Sequence, residues 1–271
     1  MQERFDTMIA YYTEHSDKYL YSDKNTSLGN NVLLSYTVSD ANIDNYNLVI
    51  ETLVKEKNFD WFIKKIKADA DRMFEDNEKA SNIKQSHDLK AWSGRQGCNK
   101  YSGTNNRKKL RNMATSSGER MLENKIYSNY LNMEDPIIGN SVDYQIPMMR
   151  EANGKRAIDL VFKKGNTIYV VELKDLTSHE GIIRCICEVL TYYYLMKRNI
   201  EKDGNDGFFF KKCLKEFYNP SISYDMQPAI VCPKSFIKGI NLDILLSKLF
   251  NEHGIDLKIV TISDTTGNLD K

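Results

Sequence analysis

The stretch RAIDLVFKKGNTIYVVELK, residues 156–174, decides the fold of the second half of this chain. Two apolar runs, 157–162 and 167–174, flank the turn sequence Lys-Gly-Asn, and this order predicts a β-hairpin. Two acids, Asp159 and Glu172, interrupt the apolar runs. An ionised carboxylate inside a buried strand is costly unless it pairs, accepts hydrogen bonds or binds a cation. Both acids therefore require an explanation.

The chemistry of these acids and of the nearby lysine indicates phosphodiester hydrolysis. Side chains alternate along a strand, so Glu172 and Lys174 are predicted to share one face. Asp159 and Glu172 can hold Mg²⁺ or Mn²⁺ while leaving coordination sites for water and a phosphate oxygen. Lys174 can orient or help deprotonate the attacking water, and its positive charge can offset negative charge in the transition state. An exposed edge hairpin with an ion pair is the alternative.

The elements on either side of the hairpin predict the fold class. A helix opens at Gly118, and its apolar residues Leu122, Ile126 and Tyr130 recur at helical spacing. The order of helices and strands predicts an α/β sandwich with a mixed sheet flanked by helices. Beyond the hairpin and this helix, the predicted elements are a strand at 144–148, a helix at 179–198, a strand at 227–232, a helix at 242–252 and a strand at 256–263.

The first part of the chain differs from the second in composition and in periodicity. Helical periodicity marks residues 46–55 and 58–73, whereas residues 77–117 are rich in Ser, Asn, Gly and Lys, as is typical of a linker. We therefore predict an α-rich N-terminal region with a basic linker, residues 1–115, followed by a second domain, residues 116–271.

At the hairpin the chain resembles the PD-(D/E)xK nuclease superfamily, with Asp159 as the motif's Asp and the tripeptide Glu-Leu-Lys at 172–174 as its ExK. The resemblance covers residues 118–263 and implies a restriction-endonuclease-like core. It also implies an Mg-dependent (deoxyribo)nuclease whose substrate is nucleic acid, with DNA expected. In two departures from the family pattern, Ile158 stands where the motif has Pro and Glu188 stands where Gln is common.

The resemblance further implies a carboxylate from the first helix of the core, for which Glu119 and Glu123 are the candidates. Glu119 lies in the opening turn, where backbone N–H groups and the helix dipole satisfy a carboxylate. Glu123 lies one turn further in, beside apolar residues that must pack on the sheet. We therefore predict that Glu123 is the third catalytic and metal-binding acid, with a role in helix-dipole compensation as the alternative for either residue.

A polar stripe is predicted on the helix that follows the hairpin. Arg184, Glu188 and Tyr192 are spaced i, i+4, i+8, which is typical of a helix that faces a polar cleft. The resemblance adds that residues 188–192 are similar to the superfamily's QxxxY motif. We predict that these three residues and Glu119 support the site, and a solvated helix face is the alternative.

Charge does not identify a global partner. The chain has 38 Lys and Arg against 37 Asp and Glu, a net charge of +1, so a nucleic-acid surface must be local. Residues 95–111 contain no acid and carry Tyr101 among their basic side chains, which suits contact with a phosphate backbone. A solvated linker is the alternative. The predicted nucleic-acid-binding residues are Arg107, Lys108, Lys109 and Arg111.

Other features narrow the class of protein. The five cysteines form no CxxC pair, so neither a zinc knuckle nor a disulfide framework is indicated. No apolar run approaches a membrane span and no secretory signal opens the chain, so a cytoplasmic protein without a membrane partner is expected. A non-catalytic nucleic-acid-binding or assembly module on the same fold is the rival function. Cutting both strands of a duplex often takes two active sites, so a homodimer is one alternative for the oligomeric state.

Overall fold

Helices occupy the first part of the chain and alternate with strands in the second. The computed structural model describes residues 1–21, 43–83, 118–147, 157–175, 178, 181–203, 223–263 and 266–270. The described helices are α1 (Gln2–Glu14), α2 (Ile43–Leu53), α3 (Glu56–Ile83), α4 (Gly118–Tyr130), α5 (Ile182–Asp203), α6 (Lys234–Ile237) and α7 (Asp243–His253). The described strands are β1 (Asn140–Pro147), β2 (Ala157–Lys164), β3 (Thr167–Leu173), β4 (Asp225–Pro233) and β5 (Lys258–Ile262).

The predicted hairpin is confirmed. Strands β2 and β3 are antiparallel, and the pair Lys164 and Thr167 closes the ladder at a turn of two residues. The first turn residue, Gly165, has φ of 57°, a left-handed conformation that glycine adopts without a steric penalty. At the other end, the last pair of the ladder is Leu160 and Val171. The hairpin therefore places Asp159 and Glu172 just beyond its final backbone pair.

The hairpin forms the middle of a five-stranded mixed sheet with the order β1-β2-β3-β4-β5. The strands β1, β2 and β3 form antiparallel pairs, whereas β3, β4 and β5 form parallel pairs. Parallel neighbours need a crossover, and the chain between β3 and β4 includes α5, while that between β4 and β5 includes α7. The predicted α/β class with a mixed sheet flanked by helices is confirmed.

Helices cover both faces of the sheet, because alternate side chains of each strand point to opposite sides. On one face, Leu122 and Ile126 of α4 pack in an apolar core with Leu160, Phe162 and Val171. On the other face, α5 contacts β3 and β4. Val161 and Val170 belong to the apolar core on that second face. By strand alternation Glu172 follows Val170 on the α5 side.

The N-terminal helices add a further layer over α5. Helix α3 packs against α5, and side chains of α1, α2 and α3 belong to the same apolar core as those of α5. An ion pair between Arg198 Nε and Asp71 Oδ1, 3.4 Å apart, lies at the exposed border of this contact. The boundary predicted between residues 115 and 116 falls outside the described residues and stays a prediction. Within the described ranges, no helix is long and apolar enough to cross a membrane.

Candidate active site at the end of the hairpin

The two central strands of the sheet separate at Asp159. Backbone pairing between β2 and β3 ends at Leu160 and Val171, and the Asp159 side chain replaces it. The Leu173 N–H donates to Asp159 Oδ2 over 2.8 Å, whereas the Lys174 N–H donates to the Val231 carbonyl of β4 over 2.9 Å. Strand β3 thus continues along β4 while β2 departs, and the carboxylate of Asp159 is held at the fork.

Glu172 and Lys174 lie at the same fork and form a buried ion pair. Lys174 Nζ donates to Glu172 Oε1 over 2.6 Å, and the residues are only 5% and 3% exposed. The predicted common face of these two side chains is therefore confirmed. A buried pair of this kind takes two charges out of water, which costs several kcal/mol per ion before their attraction is counted.

Burial and like charge raise the pKa of both acids. Burial is the largest cause of the rise in the pKa of Asp159 to about 7, and repulsion from Glu119 and Glu188 adds to it. The Lys174 ammonium and the Leu173 N–H act in the opposite direction. Burial, Asp159 and Glu188 together raise the pKa of Glu172 well above its ordinary value, although Lys174 opposes them. The site therefore gathers more acidic side chains than Lys174 alone can pair with.

Lys174 keeps its proton in this setting. Burial by itself lowers the pKa of its ammonium, but the surrounding acids, Glu172 first, raise it well above the ordinary value. Cys185 and Glu188 contribute to the same rise. A lysine with a raised pKa is a hydrogen-bond donor and a positive charge at neutral pH, not a base.

Helix α5 brings two residues of the predicted polar stripe, Glu188 and Tyr192, near the hairpin acids. The Tyr192 hydroxyl donates to Glu188 Oε1 over 3.1 Å, and Glu188 raises the pKa of both hairpin acids. Burial, with Tyr21 and Glu188, raises the pKa of Tyr192 well above its ordinary value, so this hydroxyl stays protonated and donates. Arg184 lies one turn before Glu188 and is buried. The solvated-face alternative does not fit Arg184 and Tyr192, because both are buried.

Helix α4 places its two acids differently. Glu123 is buried beside the apolar residues Leu122 and Ile126, whereas Glu119 in the first turn is partly exposed. Glu119 is near enough to Asp159 for its charge to raise the pKa of that acid. Burial of Glu123 matches the environment predicted for it, while its place as a third metal ligand, ahead of Glu119, stays a prediction.

The donor set at the fork suits a hard divalent cation. Among the described residues, no group of three or more His, Cys, Asp or Glu side chains is arranged to hold a metal ion. Mg²⁺ is nevertheless commonly bound through one or two carboxylates, with water and substrate phosphate completing its shell. Asp159 and Glu172 supply two carboxyl groups whose ionised forms burial and repulsion disfavour, and a bound divalent cation would stabilise those ionised forms. These two residues fit such an ion.

Some residues near the site were not identified by any sequence pattern. Tyr21, which follows α1, contacts Tyr192 across the N-terminal layer, and no periodicity or motif singles it out. Cys185 acts electrostatically on Lys174, and its only sequence signal is its place next to Arg184 on α5. The predicted nucleic-acid-binding residues, Arg107, Lys108, Lys109 and Arg111, lie outside the described residues.

Comparisons with protein families, with curated proteins and with solved structures found no match to this chain. The resemblance to the PD-(D/E)xK superfamily at Asp159 and at residues 172–174 therefore stays a prediction.

Proposed function

We propose that this protein is a nuclease that uses Mg²⁺ or Mn²⁺ to hydrolyse phosphodiester bonds, with DNA as its substrate. The observation that supports it best is the excess of acids at the fork between β2 and β3. Asp159 and Glu172 have raised pKa values there, Glu188 contributes to both rises, and the Lys174 ammonium opposes them. Perturbed acids gathered at one point are characteristic of functional sites. We also propose that residues 118–263 form a restriction-endonuclease-like core.

Each residue has a role in this proposal. Asp159 and Glu172 hold the ion, with Glu123 as the proposed third acid. When bound, the ion polarises a phosphate oxygen and lowers the pKa of a coordinated water. Lys174 orients the attacking water and offsets the negative charge that develops on the phosphate, because its raised pKa keeps it protonated. Proton removal from the water therefore falls to another group.

The substrate must also be held by positive charge, since the fork itself is acidic. We propose that Arg107, Lys108, Lys109 and Arg111 contact the phosphate backbone of DNA. Cleavage of both strands of a duplex would need two such sites, so we propose a homodimer on that substrate, acting in the cytoplasm.

The rival proposal is a non-catalytic nucleic-acid-binding or assembly module. One observation favours it: the ion pair between Glu172 and Lys174 satisfies both charges within the protein. A pair that served only structure would leave the fork without affinity for a divalent cation. Metal binding therefore separates the two proposals.

The direct test combines metal binding with cleavage. We expect the purified chain to bind Mn²⁺ in calorimetry and to cleave at least one of four labelled substrates when Mg²⁺ or Mn²⁺ is added: a DNA duplex, a branched DNA junction, single-stranded DNA and RNA. Addition of EDTA should stop the reaction. Absence of both Mn²⁺ binding and cleavage would leave the non-catalytic module as the better account.

The raised pKa of Asp159 also predicts how stability depends on pH. Between the ordinary value of 3.8 and about 7 the folded state holds a proton that the unfolded chain releases. The metal-free protein should therefore lose stability as pH rises through this window. A difference of one pKa unit corresponds to about 1.4 kcal/mol, so we expect Tm to fall by several degrees. Circular dichroism melts between pH 4 and pH 8 in EDTA measure this change.

Asp159→Asn is the matched control, because an amide oxygen can still accept the Leu173 N–H but does not titrate. The fall in Tm should be clearly smaller in this variant. In the parent, Mn²⁺ should restore Tm most strongly above pH 7, since below that pH the ion must first displace the proton of Asp159. Equal pH profiles for the parent and the variant would contradict the assignment of the raised pKa to Asp159.

A further inference from the structure

Tyr21 of the N-terminal region reaches the layer directly behind the candidate site. Its side chain is buried, and its ring lies 6.1 Å from that of Tyr192 at an interplanar angle of 66°. This is an edge-on contact of the kind that aromatic pairs favour. The Tyr21 hydroxyl also donates to Met73 Sδ of α3 over 3.8 Å. Tyr21 is thus wedged between α3 and the Tyr192 side chain of α5.

Polar bonds to α3 fix the segment that carries Tyr21. The buried Asp69 carboxylate accepts the Leu20 N–H over 2.9 Å, directly before Tyr21 in the chain. Lys65 Nζ donates to the Lys18 carbonyl over 2.8 Å. The Arg72 guanidinium lies 3.6 Å from the centroid of the Tyr19 ring. Three charged side chains of one helix therefore set the position of residues 18–21.

From Tyr192 the contact continues to the acids at the fork. The Tyr192 hydroxyl donates to Glu188 Oε1 over 3.1 Å, and Glu188 acts electrostatically on Asp159 and Glu172. The other carboxylate oxygen of Glu188 is buried and has no hydrogen-bond partner among the described residues. The bond from Tyr192 is therefore a main restraint on the orientation of Glu188.

We propose that Tyr21 is a positioning residue for the active site, acting on Glu188 through Tyr192. As a claim about catalysis, it depends on the proposed nuclease function. The Tyr21 ring occupies the space into which the Tyr192 ring would otherwise tilt, and so it keeps the Tyr192 hydroxyl on Glu188. The N-terminal layer in this way completes a site whose reacting groups all lie beyond residue 118.

A metal-free measurement tests the positioning itself. In the full-length protein, the carbon-13 chemical shift of the Glu188 carboxyl reports its hydrogen bond from Tyr192, and Tyr192→Phe gives the value without that bond. We expect Tyr21→Ala to move the shift towards the Tyr192→Phe value, and Tyr21→Phe, which retains the ring, to leave it at the parent value. Phe59→Ala is the matched control, because Phe59 is a fully buried aromatic residue of the N-terminal layer whose ring lies beside those of Phe62 and His253.

Kinetics then test the consequence for catalysis. Loss of a group that orients a ligand or catalytic residue commonly costs about 10- to 100-fold. We expect Tyr21→Ala to lower kcat by about tenfold or more with KM for DNA unchanged, while Tyr21→Phe and Phe59→Ala stay within about twofold. If Tyr21→Ala does not fold, Tyr21→Leu takes its place in both measurements.

The outcomes separate the two proposals. A parent-like Glu188 chemical shift in Tyr21→Ala overturns the positioning role, whatever the nuclease assay shows. The Glu188 chemical shift in Tyr21→Ala can equal that in Tyr192→Phe while the parent neither binds Mn²⁺ nor cleaves nucleic acid. In that case Tyr21 positions Glu188, but this positioning has no role in catalysis. Equal losses of kcat in Tyr21→Ala and Phe59→Ala would reduce Tyr21 to ordinary core packing.

Discussion

Replacement of Glu172 by glutamine is expected to lower metal-dependent cleavage at least about a hundredfold, the scale seen when a metal ligand or general catalyst is lost. Glutamine retains the volume of the side chain and an oxygen that accepts from Lys174 Nζ. The fold should therefore persist, because the Lys174 Nζ hydrogen bond, 2.6 Å long in the parent, keeps an acceptor oxygen, although an uncharged one. Only the negative charge that a divalent cation needs is removed.

Asp159→Ala and Lys174→Ala are expected to reduce cleavage to a similar extent for different reasons. Asp159→Ala removes a carboxylate ligand, and Lys174→Ala removes the ammonium that offsets charge on the phosphate. The rates are measured under single-turnover conditions at fixed metal and salt, with circular dichroism to establish folding. Mn²⁺ binding should be weakened by Glu172→Gln and Asp159→Ala.

An ion pair elsewhere on the sheet provides the control. Lys258 Nζ and Asp256 Oδ2 are 2.6 Å apart, near the start of the edge strand β5, and both side chains are partly exposed. Lys258→Met and Asp256→Asn should leave the cleavage rate within about twofold, since exposed pairs contribute little. Parent-like cleavage by folded Glu172→Gln would remove this residue from the mechanism and with it the proposed site.

Removal of residues 1–115 is expected to prevent cooperative folding of the remainder. Helix α3 covers α5, and the side chains of both belong to one apolar core. Burial of one large apolar side chain contributes about 1.5 to 3 kcal/mol to stability. The free energy of unfolding of a typical domain is roughly 5 to 15 kcal/mol, so exposing several such side chains would cancel it. A fragment of residues 116–271 should aggregate or bind a hydrophobic dye strongly.

Two substitutions in the full chain test the same contact without a deletion. Ile66 of α3 is fully buried in the shared core, while Ala68, two residues further along, is exposed. Ile66→Asp should lower Tm by many degrees, whereas Ala68→Asp should leave it nearly unchanged. A fragment that melts cooperatively with the Tm of the parent would instead show that residues 116–271 fold by themselves, as the division at residue 115 implies.

Local patterns predicted much of the second half of the fold. The hairpin could be predicted because an alternating strand pattern and a glycine turn give the same answer. The end of α7 could be predicted from Gly254, which has φ of 64° and whose N–H donates to the Phe250 carbonyl. The shared face of Glu172 and Lys174 followed from strand geometry alone, and their contact at 2.6 Å agrees with it.

Other features had no local signal. Helix α1 (Gln2–Glu14) was not predicted, because its apolar residues are sparse and its burial depends on later helices. Helix α3 extends to Ile83, beyond the predicted end at residue 73, through polar residues that fit helical structure without apolar periodicity. The contact between Tyr21 and Tyr192 joins residues that are far apart in the chain, and local sequence patterns do not encode such contacts.

The hydrogen bond from the Leu173 N–H to Asp159 Oδ2 makes one backbone proton a reporter for the whole fork. Because the acceptor is a side chain of the neighbouring strand, this amide can exchange with deuterium only when the carboxylate has left its place. Its exchange rate therefore measures the fraction of time in which the acid and the strand beside it are apart. The exchange rate of an amide inside the β2–β3 ladder, such as that of Val171, instead reports how often the two strands of the sheet open.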